Sequence, residues 1–433
     1  MDQGLSLTAL SSFHNAVLDG DVVKVKAFLT TGLVKVDEPD EVNINLFSNC
    51  LQDGMTALLQ ACYRGNVEIA KILVDSGADV NWSKHRQEYT ALMFAALSGK
   101  LEIINFLLSC GAKPDMTNCL KRTAAEMASF VGNHFAAAQI NTYIEKEELI
   151  QFTKKSAAEN SQLSTDLVEP LHHLVTNLNF APVKVFLYLS SAAGKSLLES
   201  WKNVVAVLEK LVEQHFTPQR THEHIAIKLH LLCAMVRRAG EYLEAGIDGD
   251  DKEIKAVHEE KNVFALEPLI KNFLRGTDPH GLPKGQEAFL RKCLVSFPHA
   301  ESTLWRQTVT QIGGVEVGQA PTCLTILENA INGFSSFSRS TSRDGIINEP
   351  CATCSDMPSY AKDLQVKWCS RCHEAAYCSV ACQKLHWFTH KKYCPILKEH
   401  HESVARSQSK EKAKPTEEEM SNFQEEISAY LPH

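Results

Sequence analysis

Thr56-Ala-Leu-Leu-Gln-Ala-Cys-Tyr-Arg-Gly65 returns as Thr90-Ala-Leu-Met-Phe-Ala-Ala-Leu-Ser-Gly99 and again as Thr123-Ala-Ala-Glu-Met-Ala-Ser-Phe-Val-Gly132. The three glycines stand 34 and 33 residues apart. A second apolar run follows the first two of them, Val67 to Val74 and Leu101 to Leu108, and each run ends in Gly-Ala, at Gly77-Ala78 and Gly111-Ala112. One physical plan explains all of this. A threonine caps a first helix, a glycine takes positive φ between the two helices, and a second glycine ends the pair. Neither helix can bury its apolar face alone, so neighbouring pairs must stack.

The period resembles that of ankyrin repeats. A degenerate earlier copy runs from Ser12 through Ala16 and Gly20 to Leu29 and Gly32. Gly20 precedes Gly65 by 45 residues, which predicts an insertion near residues 38–50. Departures from the ankyrin pattern are Ala after the threonine in place of Pro, and Leu59 or Met93 in place of His. Such a stack presents finger tips and a concave face but holds no chemistry of its own. Trp82, Tyr89 and Arg122 are the candidate contact residues there, because aromatics and arginine dominate binding hot spots. Packing of Trp82 and Tyr89 between neighbouring fingers is the alternative.

A second ordered pattern lies near the other end. Residues 351–394 read Cys351-x2-Cys354, Cys369-x2-Cys372, Cys378-x3-Cys382 and His390-x3-Cys394. Seven of the 14 cysteines fall in these motif positions. Eight ligands complete two tetrahedral zinc sets with no position left for water, which predicts structural rather than catalytic zinc. Metal binding would supply the folding energy that so short a segment lacks. The order of ligands resembles the MYND zinc finger. That resemblance implies one ion on Cys351, Cys354, Cys378 and Cys382, and another on Cys369, Cys372, His390 and Cys394. His386 has no place in the pattern and reads as a packing or surface histidine. MYND fingers are protein-interaction modules, and several bind proline-rich peptides. Their groove positions correspond here to Ser370, Gln383 and Trp387: an indole to pack a proline ring, and a hydroxyl and an amide to fix the peptide backbone. The alternative is that Trp387 belongs to the core of the finger.

Between these ends, helical periodicity runs from about Glu169 to Phe334. It predicts helices at Pro182 to Leu189, Leu198 to Gln214, His224 to Arg238, Asn262 to Leu274, Glu287 to Val295, Ser302 to Gln311 and Thr322 to Asn332. Residues 275–285 hold three Gly and two Pro and read as a loop. The expected organisation is mostly α: ankyrin repeats over 1–144, a polar linker at 145–166, a helical domain at 167–334, a Ser/Arg-rich linker at 335–350, a two-zinc finger at 351–394, and a charged tail at 395–433 with a short helical stretch near Glu417 to Tyr430.

Composition bounds function. The net charge is −8 over 433 residues, and there is no basic and apolar leader and no apolar run near membrane length. A soluble intracellular chain with reduced thiols is expected. Residues 351–398 carry seven Lys or Arg against three Asp or Glu. The thiolate-rich zinc sites offset most of that excess, so no nucleic-acid partner is expected. Phosphate-loop, zinc-protease and nucleophile-elbow motifs are absent. The pairs His172/His173 and His222/His224 lack ligand partners at suitable spacing and read as ordinary histidines.

The whole chain resembles the ankyrin repeat and MYND domain-containing protein 2 family. The resemblance rests on Gly54-Met-Thr-Ala-Leu, the Tyr89 to Gly99 run, Arg122-Thr-Ala-Ala, Pro182-Val-Lys184, Phe297-Pro-x-x-Glu301 and His386-Trp-Phe-Thr-His-Lys-Lys392. It implies a non-enzymatic adaptor in the cytoplasm and primary cilium, without direct membrane insertion. Such an adaptor supports the delivery of membrane guanylyl or adenylyl cyclases, acts on Hedgehog signalling through cyclic nucleotides, and is linked to a membrane-anchored FK506-binding prolyl isomerase. The insertion near 38–50 and the short tail look unlike vertebrate members. Two alternatives remain: a nuclear corepressor scaffold that works through the finger, and a methyltransferase-related enzyme. The second lacks the Asn-His-Ser stretch of a SET domain.

Overall fold

The computed structural model describes residues 2–40, 54–154, 163–217, 220–248, 266–276, 283–333, 349–357 and 366–412. The expected insertion lies largely outside these residues, as do most of the linker at 335–350 and the tail beyond Lys412.

The N-terminal part stacks helix pairs: α1 (Asp2–Asp19) with α2 (Val22–Thr31), α3 (Ala57–Arg64) with α4 (Val67–Asp75), α5 (Ala91–Ser98) with α6 (Leu101–Ser109), and α7 (Ala124–Phe130) with α8 (His134–Asn141). The caps are those the sequence implies. The Thr56 and Thr90 hydroxyls accept from Leu59 N and Met93 N, and Thr123 forms a capping box with Glu126. Gly65, Gly99 and Gly132 take φ of 74°, 69° and 85°, where a β-carbon would be strained. The inner helices α1, α3, α5 and α7 pack in one row and the outer ones in another. Leu58, Leu92, Phe94, Ile103 and Leu107 are buried between them. Asn81 ties successive repeats together, donating to Gly111 O and accepting from Lys113 N, both at 2.9 Å.

The stretch read as a polar linker begins instead as structure. Residues Lys146–Ile150 form α9, and Ile144, Leu149, Phe152 and Leu163 are buried in the core of the middle unit. Four apolar side chains scattered among lysines and glutamates suffice to pin the segment down. Residues 155–162 lie outside the described part.

The middle unit contains α10 (Val168–Thr176), α11 (Pro182–Leu189), α12 (Lys195–Glu199), α13 (Trp201–Gln214), α14 (Glu223–Asp248), α15 (Glu267–Leu274), α16 (Lys284–Val295), α17 (Thr303–Gly313) and α18 (Cys323–Asn332). Helix α13 lies along α14. The antiparallel strands β1 (Phe216–Thr217) and β2 (Arg220–Thr221) lie between them, with Phe216 opposite Thr221. The apolar face of α14 carries Ile225, Leu229, Leu232 and Val236, all buried. The unit is fastened to the repeats where α8 meets α18. There the His224 ring donates to Asn141 O at 2.9 Å, and Gln139 donates to Thr176 O at 3.3 Å. His172 likewise donates to Ile144 O at 3.0 Å, and His173 stacks on Tyr188. These histidines serve packing and backbone satisfaction.

The C-terminal unit has strands β3 (Lys367–Trp368) and β4 (Ala376–Tyr377) and the long helix α19 (Val380–Lys412). The helix runs past the finger without a break at Pro395, so residues 395–412 of the expected tail are helical. No helix among the described residues is long and apolar enough to cross a membrane.

Candidate metal centre and partner faces

Two knuckles and one helix build the finger. In the first knuckle Ser355 N donates to Cys351 O and Cys351 N to Asp356 O, both at 2.8 Å, and Ser355 takes φ of 60°. In the second, Cys369 N donates to Ala375 O at 2.8 Å and His373 N to Cys369 O at 3.0 Å, at the end of the β3–β4 hairpin. Cys378 follows β4, and Ser379 Oγ accepts from Cys382 N in the first turn of α19. His390 and Cys394 stand one turn apart on that helix. The fold therefore interleaves the ligands: the first knuckle meets the start of α19, and the second meets its middle.

The eight residues converge in two sets, Cys351/Cys354/Cys378/Cys382 and Cys369/Cys372/His390/Cys394, with the ligand atoms of each set within 4.8 Å of one another. In the first set Sγ of Cys354 is 3.5 Å from Cys378, Cys378 is 3.5 Å from Cys382, and Cys382 is 3.8 Å from Cys354. In the second, Cys369 Sγ is 3.9 Å from Cys394 Sγ, and His390 Nε2 is 3.4 Å from Cys369 Sγ and 3.7 Å from Cys372 Sγ. A tetrahedron with Zn–S of about 2.3 Å has S–S edges of about 3.8 Å and S–N edges of about 3.5 Å. The observed spacings are those edges, and all are far longer than a disulfide of about 2.05 Å. Seven of the eight ligands are buried and Cys378 is half-buried. Electrostatics agree. Contacts from Cys354, Cys378 and Cys382 pull the Cys351 thiol far below its ordinary range, while contacts from Cys351, Cys378 and Cys382 push Cys354 far above it. Four packed thiols cannot all ionise unless a cation sits among them. The donor sets fit two structural zinc ions, which would hold the knuckles to the helix and leave no coordination position for a substrate.

His386 is not a ligand. Its Nδ1 lies 3.1 Å from the hydroxyl of buried Tyr377, and burial pushes its pKa down to about 4. It is thus a neutral packing partner near both sites.

The finger is clamped to the middle unit by residues that spacing alone does not reveal. Asn179 Nδ2 donates to Cys354 O and to Asp356 Oδ1, each at 2.8 Å, and Lys184 Nζ donates to Asp356 Oδ2 at 2.5 Å. On the other side Gly276 N donates to Thr389 Oγ1 at 3.1 Å and Tyr393 OH to Gly276 O at 2.9 Å. Leu385 and Phe388 of α19 pack against the core of the middle unit. The one sequence signal was Pro182-Val-Lys184, a stretch that stood out without a reason.

The partner-facing candidates separate. Trp387 is 43% exposed, so it is not finger core, and its ring centre lies 5.9 Å from that of His390. Gln383, half-buried, is one turn earlier on the same helix, and Ser370 is exposed in the second knuckle, which shares a metal set with His390. On the repeats, Tyr89 is buried against His85 and Phe94, with ring centres 5.4 and 5.3 Å away. It is a core residue and not a surface contact. Trp82 is half-buried against the repeat core. Arg122 is exposed, its guanidinium 5.0 Å from the Phe130 ring centre.

Comparison with known proteins matches these units. The family model for ankyrin repeats matches residues 13–118 in three copies, and that for the MYND finger matches residues 351–394. The chain thus carries ankyrin repeats and a MYND finger, both interaction modules. It is 27% identical over 349 residues to Dauer abnormal formation protein 25 of Caenorhabditis elegans, covering 80% of this chain and 83% of that protein. Shorter similarities include Protein fem-1 homolog A-like of Mus musculus, 47% over 60 residues, 14% of this chain and 9% of that protein. Another is BCL-6 corepressor-like protein 1 of Homo sapiens, 35% over 109 residues, 24% of this chain and 6% of that protein.

Proposed function

We propose that this ankyrin-repeat and MYND-finger chain is a non-enzymatic adaptor that supports delivery of membrane guanylyl or adenylyl cyclases to the primary cilium, and through them cyclic-nucleotide and Hedgehog signalling. A membrane-anchored FK506-binding prolyl isomerase is a second partner in this reading. The adaptor works from the cytoplasm and cilium without inserting into the membrane.

What carries the reading is the similarity to Dauer abnormal formation protein 25 over most of both chains, joined to the family resemblance of the motifs. Support from the geometry is of a general kind. Both metal sets have four protein ligands, which suits structure and not catalysis. The side chains left outward, Trp387 on the finger and Arg122 on the repeats, are of the types that anchor protein partners. The similarity to a corepressor-like protein covers 6% of that protein and gives the nuclear scaffold no comparable footing.

The deciding measurement is cyclase abundance in the cilia of cells lacking this chain, with and without re-expression. Loss restored by the intact chain is the expected result. Cyclase levels that do not change would refute the trafficking role. Re-expressing the Trp387→Ala chain then tells whether the finger groove takes part.

A further inference from the structure

We propose that the concave side of the ankyrin stack receives an acidic segment of a partner protein bearing bulky apolar side chains, held between the second and third finger tips and the exposed end of α7. This deepens the adaptor reading and rests on it.

The tips are built as rigid hairpins. In one, Glu88 N donates to His85 O at 2.8 Å and Glu88 takes φ of 58°. In the next, Asn118 Oδ1 accepts from Leu120 N and Arg122 N, each at 3.0 Å, and Lys121 takes φ of 59°. Cys119 N donates to Gln87 O at 3.1 Å, which sets the two tips side by side. The pair therefore presents Lys84, Arg86, Lys121 and Arg122, all exposed, against one exposed acid, Glu88. That local excess of positive charge stands out in a chain whose net charge is −8. Such a fixed patch attracts acidic segments and repels basic ones.

Apolar surface lies beside the charge. Leu120, at the tip, is 68% exposed, and Phe130, at the end of α7, is 77% exposed with Arg122 over its ring. Phe130 stands two residues before Gly132, as Tyr63 stands two before Gly65, so the repeat places both on the same side of their inner helices. Tyr63 is 39% exposed. Phe130, a large exposed aromatic under a guanidinium, is poorly used by water and well used by an apolar anchor, and Tyr63 offers a second, smaller apolar edge. Charge selects the acidic segment, and the aromatic positions fix where its apolar side chains sit.

Panning a library of random peptides displayed on phage against the full chain tests this, with counter-selection on the Lys121→Glu/Arg122→Glu chain. Winning peptides are then synthesised and measured by fluorescence anisotropy. They should be rich in Asp and Glu with one or more bulky apolar residues. They should bind the intact chain at least about tenfold more tightly than the Arg122→Glu chain, a clear loss on the affinity scale. Phe130→Ala, at an exposed position that leaves the fold intact, should weaken them as well. Binding should fall as salt rises from about 50 to about 300 mM. Neutral, basic or proline-rich winners would overturn the proposal. So would acidic winners indifferent to Arg122→Glu and Phe130→Ala. A dimer in sedimentation that Arg122→Glu dissolves would show that a second copy covers this face, and would overturn it too. Cyclase delivery that survives a failed selection would sink this surface and leave the adaptor reading standing.

Discussion

Lys228 offers the sharpest test of the physical reading of the middle unit. It lies on α14 with no exposed surface, among buried Ile225, Ala226, Ile227 and Leu229, and its Nζ has no hydrogen-bond partner. Burial pushes its pKa from the ordinary 10.5 down to about 7. The unfolded chain keeps that proton up to its ordinary pKa, whereas the folded chain gives it up near neutrality. Between those values the unfolded state binds one more proton, so stability rises with pH by about 1.4 kcal/mol per unit. Below pH 7 both states are protonated and the full penalty of a buried cation applies.

Lys228→Met keeps the length of the side chain and removes the charge. At pH 7.5 the proton linkage alone is about 3 units times 1.4, so the methionine chain should be more stable by about 4 kcal/mol. At pH 9 the gain should shrink to about 2 kcal/mol. Urea unfolding of both chains at pH 6.5, 7.5, 8.5 and 9, followed by the fluorescence of Trp201 and Trp305, gives the difference directly. Titration of groups remote from Lys228 cancels in that difference, whereas His224, whose pKa burial and the Lys228 charge both lower, adds a small change at the acid end of the range. A gain that is independent of pH, or a methionine chain that is less stable, would show that the ammonium is solvated or paired in the fold, and the argument from burial would fail.

Metal analysis should find two zinc ions per chain, falling to one when Cys372→Ser removes a ligand of the second set; one or none in the intact chain would refute the two-site reading. Asp356→Ala strands the half-buried Lys184 ammonium and removes one of the two acceptors of the buried Asn179 Nδ2. It should weaken the seating of the finger by about 3 kcal/mol, read as faster hydrogen exchange over 349–357 and 179–188 while zinc content is unchanged. At Gly194 an added Cβ would lie 2.2 Å from Tyr188 O, a backbone atom that cannot swing aside, so Gly194→Ala should lower stability by about 1–3 kcal/mol in a thermal melt. Gly313, with nothing within 4 Å, should accept alanine at no loss.

Local patterns were legible because they are local. The Thr-to-Gly runs gave the first helix of three repeats and, after Gly65 and Gly99, the second as well, since cap, period and positive-φ glycine fall within a few residues of one another; α8, after Gly132, was not among them. The period-3.6 stretches gave α11 to its ends and α13, α14, α16, α17 and α18 to within a few residues at most boundaries; α14 alone runs well past its expected end. Ligand spacing gave the composition of both zinc sets once read through the MYND order. What escaped depends on distant partners. Leu149 sits in a run of charge, and only the core it enters makes α9. Tyr89 looks like a finger aromatic until Phe94 and His85 close over it. Lys184 and Asp356 are 172 residues apart, and no periodicity connects them.

That last contact changes how the finger should be regarded. A zinc module is usually pictured as folding on its metal and hanging from its neighbours. Here the carbonyl that Asn179 reads belongs to Cys354, a ligand, and the carboxylate that Lys184 reads is two residues on. Metal binding and seating on the middle unit therefore share one knuckle, and each should strengthen the other. Helix α19 turns the coupling outward. Leu385, Phe388 and Thr389 are spaced three and four apart and face the middle unit, where Thr389 accepts from Gly276 N. Gln383 and Trp387 are four apart on another strip, and Trp387 stays open to solvent. One face of the helix is held, so a partner reading Trp387 meets a surface that is already ordered and loses little entropy in fixing it. Chelation of zinc should then do two things together: release the contacts at Asn179 and Lys184, and abolish binding at Trp387. A peptide that depends on Trp387 and still binds after chelation would show that the helix, not the metal, orders the groove.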